Sequence, residues 1–481
     1  MSSITQKLFS GVIWTVTQTA ATKIISFVAQ IVLAWILVPS DFGKISLTYT
    51  VTNIGLLLQN FGLTDVLISR GKSFYTYLSL ARSLSLLTGV ICTVVTLLLG
   101  MGGSFLYHDW KIMSLVAIYS CAIPFNALSL VASSKLSIDI KFKYISLIAI
   151  FSLLLTQGLT IVFALLGFGV YSFVISPVIV ALLRCGILHY IAKVSISFIF
   201  TLRRWWLLVS KSAWGFVHSV CQTLIFQSDY IILGMVATQS TVGIYAMAYS
   251  LSVQVIALLT GNIGPVLFPS LMTVGRKNEQ TKNILMKCTV FFAVIGMPFA
   301  IWQGVSAAPL IKIFLSNKWF DSICLVEILS IGMAFRIVSS IWEIPYKLRA
   351  AFKQQAYNSV VFSISFVLLL IPFSYYFKEK GTAMAVSLFY IISSPMLLYC
   401  SFKYYSISLR QVLNIFLKYS IFASVAFIPI FYFSKFTQNN WICLLVNGVI
   451  SPMLYIVLLY CFDKRELNEL VNRVRNIRVK K

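Results

Sequence analysis

The chain has 481 residues, of which 59% are hydrophobic and 11% are charged, and its mean hydropathy is +0.91. This composition excludes a soluble globular protein, which needs a larger charged surface, and it predicts a polytopic membrane protein. A net charge of +25 would suggest a nucleic-acid partner in a soluble protein. Here we expect basic loops that face anionic lipid, and no nucleic acid.

Apolar stretches of helical length recur along the chain, and they are too long for the strands of an outer-membrane barrel. The first stretch also exceeds the hydrophobic region of a signal peptide, so we expect it to remain as the first span. We therefore predict an all-α membrane protein with about 14 transmembrane helices. The predicted spans are 11–37, 45–69, 79–106, 112–133, 145–166, 170–192, 211–236, 242–269, 284–308, 322–346, 356–377, 381–402, 413–434 and 441–462.

The basic residues indicate the orientation of these spans. With a cytoplasmic N-terminus, 27 of the 38 Lys and Arg residues fall on the cytoplasmic side and 7 on the other side. This bias follows the positive-inside rule and predicts that both termini are cytoplasmic. Residues 193–210 carry paired Trp and Arg and are expected to lie at the membrane interface, and the basic tail 463–481 is expected to form an amphipathic surface helix. The alternative for both segments is a solvated connector.

A short motif recurs at an offset of 200 residues. VPSDFGKISLTY (38–49) and TQSTVGIYAMAY (238–249) share Ser, Gly and Tyr at equivalent positions, and Trp14 is matched by Trp214. We interpret the first copy as an outer turn in which Gly43 permits a tight bend. Since the repeated unit holds six spans, an even number, the two copies should be parallel lobes. The predicted lobes are 1–192 and 211–402, followed by two further spans within 403–462.

Polar residues inside the spans are the candidate site. A charge in the bilayer core is costly and usually faces a cavity or a partner, so we predict a central cationic cavity that binds an anionic substrate. Lys23 and Arg336 are the deepest cations, whereas Arg82 could reach the inner surface by snorkelling. Side chains of spans 1, 2 and 7 form polar stripes at helical spacing. The predicted substrate-binding residues are Lys23, Arg336, Arg184, Arg82, Lys211, Gln18, Gln30, Asn53, Asn60, His218 and Gln222.

Acids inside the spans are the candidate ion-coupling residues: Asp229, Glu343, Asp65 and Glu327. The competing interpretation is that these acids pair with the cations and only hold the helices together, and His218 is expected to pack rather than relay protons. The nine cysteines lie mostly in apolar stretches, which favours packing over metal or disulfide chemistry. No nucleotide-binding, zinc or nucleophile motif occurs, so we predict no cofactor, no metal and no enzyme activity, with coupling to a proton or sodium gradient.

Five segments resemble the Wzx-type polysaccharide flippases of the multidrug/oligosaccharidyl-lipid/polysaccharide exporter superfamily. They are LVPSDFGKISL (37–47), QNFGLTDVLIS (59–69), DYIILGMVATQSTVGIYAMAYSL (229–251), GPVLFPSL (264–271) and APLIKIFLSNKWFDS (308–322). The resemblance implies two lobes around a cationic cavity, lined by charged residues of spans 1, 2, 7 and 8, for which Lys23 and Asp229 are the clearest matches. It further implies transport of an undecaprenyl-pyrophosphate-linked glycan repeat unit across the bacterial inner membrane, next to the polysaccharide polymerase machinery.

Three alternatives stay open at this point. A multidrug exporter of the same superfamily should place acids rather than cations near the midplane when its drugs are cationic. A membrane glycan polymerase or ligase usually carries a sizeable outer loop, and the predicted outer loops are all short. A scaffold without transport activity does not explain the cost of the buried charges.

Overall fold

A computed structural model describes residues 2–57, 74–139, 141–193, 213–260, 271, 278–437 and 439–464. Within these ranges the chain is helical, with no β-strand, so the predicted all-α fold is confirmed. The helices of the first half are α1 (Ser2–Ile36), α2 (Pro39–Gly55), α3 (Phe74–Leu106), α4 (Trp110–Ser120), α5 (Ala122–Ile138), α6 (Phe142–Leu165) and α7 (Ser172–Ala192). Those of the second half are α8 (Ala213–Val236), α9 (Gln239–Thr260), α10 (Asn278–Phe291), α11 (Met297–Val305), α12 (Ala307–Phe314), α13 (Ser322–Val338), α14 (Glu343–Arg349), α15 (Phe352–Phe402), α16 (Leu409–Phe436) and α17 (Asn440–Phe462).

Each predicted span overlaps a helix of the described residues, although 58–69 of span 2 and 261–269 of span 8 lie outside them. Within the described residues, 11 helical stretches are long and apolar enough to cross a membrane. One of them, Phe352–Tyr405, has 54 residues and is long enough for two crossings. Its helix α15 breaks at Lys378, where φ is 48°. Span 9 contains a π-helical turn, Phe292–Gly296, between α10 and α11. The chain is therefore a membrane protein with many spans.

The prediction of a bend at Gly43 is wrong. Pro39 occupies the first turn of α2, where a missing N–H costs nothing, and the Asp41 carboxylate accepts a hydrogen bond from Val38 N at 3.4 Å. Gly43 therefore lies inside α2. A Cβ atom on Gly43 would sit 1.8 Å from Gln239 O, and one on Gly243 would sit 1.8 Å from Pro39 O. The glycine pair permits α2 and α9 to cross with their backbones in contact, and the two contacts are reciprocal.

Two compact units divide the chain. The first contains the described residues within 1–247 and 349–385, and the second those within 248–260, 267–348 and 386–481. In the first unit, α1 packs along α6, and α5 packs against both α3 and α7. In the second, α13 packs against α11, and α16 packs against α17. The predicted division into repeated lobes at 193–210 stays a prediction, since residues 194–212 lie outside the described residues.

Candidate functional cavity

A cavity of about 400 Å³ lies within the first unit, between α1, α5, α6 and α7. Polar side chains from all four helices reach its wall, although each helix is apolar over most of its length. This arrangement needs four separate chain segments, so no single sequence motif encodes it. The lining residues are Thr22, Lys23, Ser26, Asn126, Ala149, Ser152, Leu153, Thr156, Pro177, Val180, Ala181 and Arg184.

Two cations share this cavity. Lys23 lies about 20 Å before the end of α1 at Ile36, and Arg184 about 12 Å before the end of α7 at Ala192. Neither forms an ion pair with an acid in the part of the chain that the structure describes. The Nε atom of Arg184 is buried and has no hydrogen-bond partner there. Two cations without an acidic partner among the described residues therefore face one cavity, and their role in binding an anion stays a prediction.

The same wall carries hydroxyl and amide groups of α5 and α6 that the sequence did not single out. Ser152 and Thr156 are one turn apart on α6, and Asn126 projects from α5. The Thr156 hydroxyl donates to Ser152 O at 2.8 Å, and the Thr22 hydroxyl donates to Thr19 O at 3.0 Å. Ser and Thr are common in membrane helices because their hydroxyls bond to their own helix, so only the tertiary arrangement distinguishes these residues.

Arg336 belongs to the second unit. Its guanidinium lies over the ring of Tyr390, 4.9 Å from the centroid, and donates a hydrogen bond from Nη1 to the Tyr249 hydroxyl at 3.2 Å. Tyr249 lies on α9 in the second copy of the repeated motif, and the same Nη1 also contacts the Met333 sulfur at 3.7 Å. The sequence predicted a deep cation at this position, and the aromatic contacts fix where its charge lies. Its role in binding substrate stays a prediction.

Among the acids that the structure describes, Asp229 is the most completely enclosed, with 1% of its surface exposed. Its Oδ2 accepts a hydrogen bond from the Tyr245 hydroxyl at 2.7 Å, and its Oδ1 accepts one from Tyr230 N at 2.9 Å. The other two ion-coupling candidates within the described residues are only partly buried. Glu343 forms an ion pair with Lys347 at 2.7 Å, one turn along α14, and Glu327 lies half-buried on α13.

His218 joins α8 to α15. Its Nε2 accepts from the amide nitrogen of Gln355 at 3.1 Å, since that nitrogen can only donate. The proton then resides on Nδ1, 2.7 Å from the Ser359 hydroxyl oxygen, and this hydroxyl in turn donates to Gln355 O at 2.9 Å. Both ring nitrogens of His218 thus contact α15, and the role of His218 in packing or in binding substrate stays a prediction.

The remaining candidates are distributed over several helices. Arg82 is 2% exposed on α3, so its side chain is enclosed by protein rather than directed to the membrane surface. The Gln30 amide donates to the Met247 sulfur at 3.0 Å. Gln18 and Gln222 are half-buried, whereas Asn53 is exposed on α2. Three predicted site residues lie outside the described residues: Asn60, Asp65 and Lys211.

An ionic cluster lies close to the crossing of α2 and α9. Asp109 caps α4 by accepting from Lys111 N at 2.8 Å, and it also accepts from the Gln239 amide at 2.8 Å and contacts Lys44 Nζ at 3.4 Å. Burial alone would raise the pKa of Asp109. The hydrogen bonds from Lys111 and Gln239 and the charge of Lys44 outweigh it and hold the pKa below its ordinary value.

Comparison with known proteins identifies the family. The family model described as "Polysaccharide biosynthesis protein" matches residues 32–324, which is more than half of the chain. The chain belongs to this family. It is also 24% identical over 315 residues to the succinoglycan biosynthesis transport protein ExoT of Rhizobium meliloti (strain 1021). That alignment covers 64% of this chain and 62% of ExoT, so it spans less than two thirds of the relative.

Solved structures show which fold this family member shares. The chain matches a lipid II flippase, MurJ in an inward closed conformation, with a TM-score of 0.72 and 17% identity over 93% of this chain and 98% of MurJ. It also matches an inward-facing multidrug resistance MATE family transporter, with a TM-score of 0.59 and 12% identity over 81% of this chain and 94% of the transporter. The predicted resemblance to the flippase superfamily is confirmed. Flippases and drug transporters share the fold, so the fold alone does not name the cargo.

Proposed function

We propose that this polysaccharide biosynthesis protein flips an undecaprenyl-pyrophosphate-linked oligosaccharide repeat unit from the inner to the outer leaflet of the bacterial cytoplasmic membrane. The observation that carries the proposal is the pair Lys23 and Arg184, which line one cavity without an acidic partner in the described part of the chain. The family membership and the glycan transport named for ExoT support the same cargo class. Both termini are cytoplasmic in this proposal, as the charge bias predicts.

The chemistry of the cargo fits the cavity. A pyrophosphate is anionic and is poorly solvated in the hydrocarbon layer, so its passage needs fixed positive charges. Lys23 acts as a mobile point charge, and the planar Arg184 can bind two phosphate oxygens at once. The isoprenoid chain stays in the surrounding lipid while the cavity opens first to one side and then to the other. Asp229, held by Tyr245, is the leading candidate for a proton or sodium site that drives this cycle.

Multidrug export is the second candidate function, because the MATE-like fold favours it. Cationic drugs need acids in the binding cavity, whereas the residues that line this cavity include two cations and no acid. A membrane glycan polymerase or ligase has weaker support, since ExoT, MurJ and the MATE protein are named as transporters. Association with the polysaccharide polymerase machinery stays a prediction.

Complementation in a strain that lacks this gene tests the proposal. Lys23→Met and Arg184→Met remove the charges while keeping long apolar side chains. Each loss of a charged hydrogen bond to phosphate weakens binding by about tenfold or more, so we expect little surface polysaccharide and an accumulated lipid-linked precursor. Lys111→Met at the start of α4, away from the cavity, is the matched control and should complement fully.

The result also separates the two candidate functions. Normal surface polysaccharide from both Lys23→Met and Arg184→Met, at wild-type protein levels, contradicts the proposed anion site. A gene deletion that leaves polysaccharide unchanged and raises drug susceptibility identifies the exporter instead.

A further inference from the structure

The cavity contains hydrogen-bond acceptors beside its cations, which a site for a bare anion does not need. Thr22 and Thr156 both donate their hydroxyl hydrogen to a carbonyl of their own helix, at 3.0 and 2.8 Å. Their oxygen lone pairs remain as acceptors in the wall of the cavity. A phosphate oxygen only accepts hydrogen bonds, so it gains nothing from these groups. A ligand that also donates hydrogen bonds fits them.

Asn126 adds both kinds of group. Its amide offers two donor hydrogens and an acceptor oxygen, it is half-buried, and no described residue forms a hydrogen bond with it. Ser152 lies one turn before Thr156 on the same face of α6. We call Asn126, Ser152 and Thr156 the hydroxyl-binding wall. These residues lie on α5 and α6, and apolar packing of α5 against α6 and α7 holds the two helices in place. The buried cluster Ala132, Leu136, Ile148, Leu188 and Ala192 forms this contact.

We infer that the hydroxyl-binding wall binds the hydroxyl groups of a sugar while Lys23 and Arg184 bind the phosphate attached to it. Sugar hydroxyls donate and accept, which matches the mixture of groups in the wall. The volume of about 400 Å³ lies at the low end of the roughly 300–1,000 Å³ typical of small-molecule pockets. The cavity thus holds one compact phosphorylated group, and the rest of a longer glycan lies outside it. The inference rests on the proposed function, since it adds a second binding element to the same site.

Binding measurements on the purified full chain in lipid nanodiscs test the inference. The probes are undecaprenyl pyrophosphate and the same lipid carrying one glucose, galactose, N-acetylglucosamine or N-acetylgalactosamine. We expect at least one sugar-bearing probe to bind more tightly than the bare lipid. The combined variant Asn126→Ala, Ser152→Ala and Thr156→Val should reduce this preference by about fivefold for each hydrogen bond lost, while the affinity for the bare lipid stays unchanged.

The control is Thr160→Val, one turn further along α6. It removes a buried hydroxyl that donates to Thr156 O at 2.8 Å and that does not line the cavity. It should keep the preference for the sugar-bearing probe. The inference is overturned when the wild type binds bare and sugar-bearing lipid equally, or when the combined variant weakens both equally or keeps the preference. A wild-type chain that binds none of the probes contradicts the proposed function itself, and binding lost only in Lys23→Met and Arg184→Met supports the function without the wall.

Discussion

Substitution of Gly43 by alanine tests the helix crossing directly. The added Cβ would lie 1.8 Å from Gln239 O and 2.8 Å from Gln239 C, both backbone atoms of α9. Neither atom can rotate away as a flexible side chain can, so α2 and α9 must separate by more than an ångström. Overpacking of this kind costs about 1–3 kcal/mol. The gain of about 0.5–1 kcal/mol from replacing a helical glycine by alanine offsets only part of that cost.

Thermal unfolding of the purified protein in detergent measures this effect. We expect Gly43→Ala to lower the melting temperature and Gly158→Ala, whose added Cβ meets nothing within 4 Å, to leave it unchanged or raise it. Gly243→Ala should act like Gly43→Ala, since its Cβ would meet Pro39 O at 1.8 Å. The double variant should cost less than the sum of the single variants, because the first substitution already separates the helices. Equal melting temperatures for Gly43→Ala and Gly158→Ala would refute the close crossing.

Two further predictions concern acids. Because the pKa of Asp109 is lowered in the folded state, its contribution to stability is present above its unfolded pKa of about 4 and is lost as the pH falls through the folded pKa. Asp109→Asn should therefore abolish this fall of the melting temperature at acidic pH. A variant whose melting temperature depends on pH as that of the wild type does would contradict the cluster with Lys44. Tyr245→Phe removes a donor from the enclosed carboxylate of Asp229, which should cost about 1–3 kcal/mol. A wild-type melting temperature for this variant would count against that hydrogen bond.

The helices were predictable because membrane solvation imposes one rule on every span. A stretch of about 20 apolar residues must form a helix in lipid, since each backbone polar group needs a partner. Irregularities within a helix do not follow from that rule. The π-helical turn at Phe292–Gly296 lies in apolar sequence and has no signal of its own. The break of α15 at Lys378, by contrast, falls in the polar connection predicted between the spans 356–377 and 381–402. Gly43 was misread because a short polar stretch with glycine between two apolar runs is typical of a turn, whereas here Pro39 starts the helix.

Only part of the candidate site could be predicted from the sequence. Lys23 and Arg184 were detectable because a charge within an apolar stretch is rare. Their meeting in one cavity depends on how α6 packs against both α1 and α7, which no spacing rule predicts. Asn126 and Thr156 carried no signal, since uncharged polar residues cost little in a membrane helix that can satisfy them. Asp109 was hidden in a short loop, and its partner Gln239 lies 130 positions away.

The charges of Lys23 and Arg184, which have no acidic partner among the described residues, also have an electrical consequence for the proposed transport cycle. Moving one elementary charge across a membrane involves about 2.3 kcal/mol of work for each 100 mV. In a cell that is negative inside, the two cations of an empty cavity are attracted toward the cytoplasmic side, whereas a bound pyrophosphate neutralises them. The resting voltage would then act on the return of the empty protein, and the loaded protein would turn outward almost without electrical work.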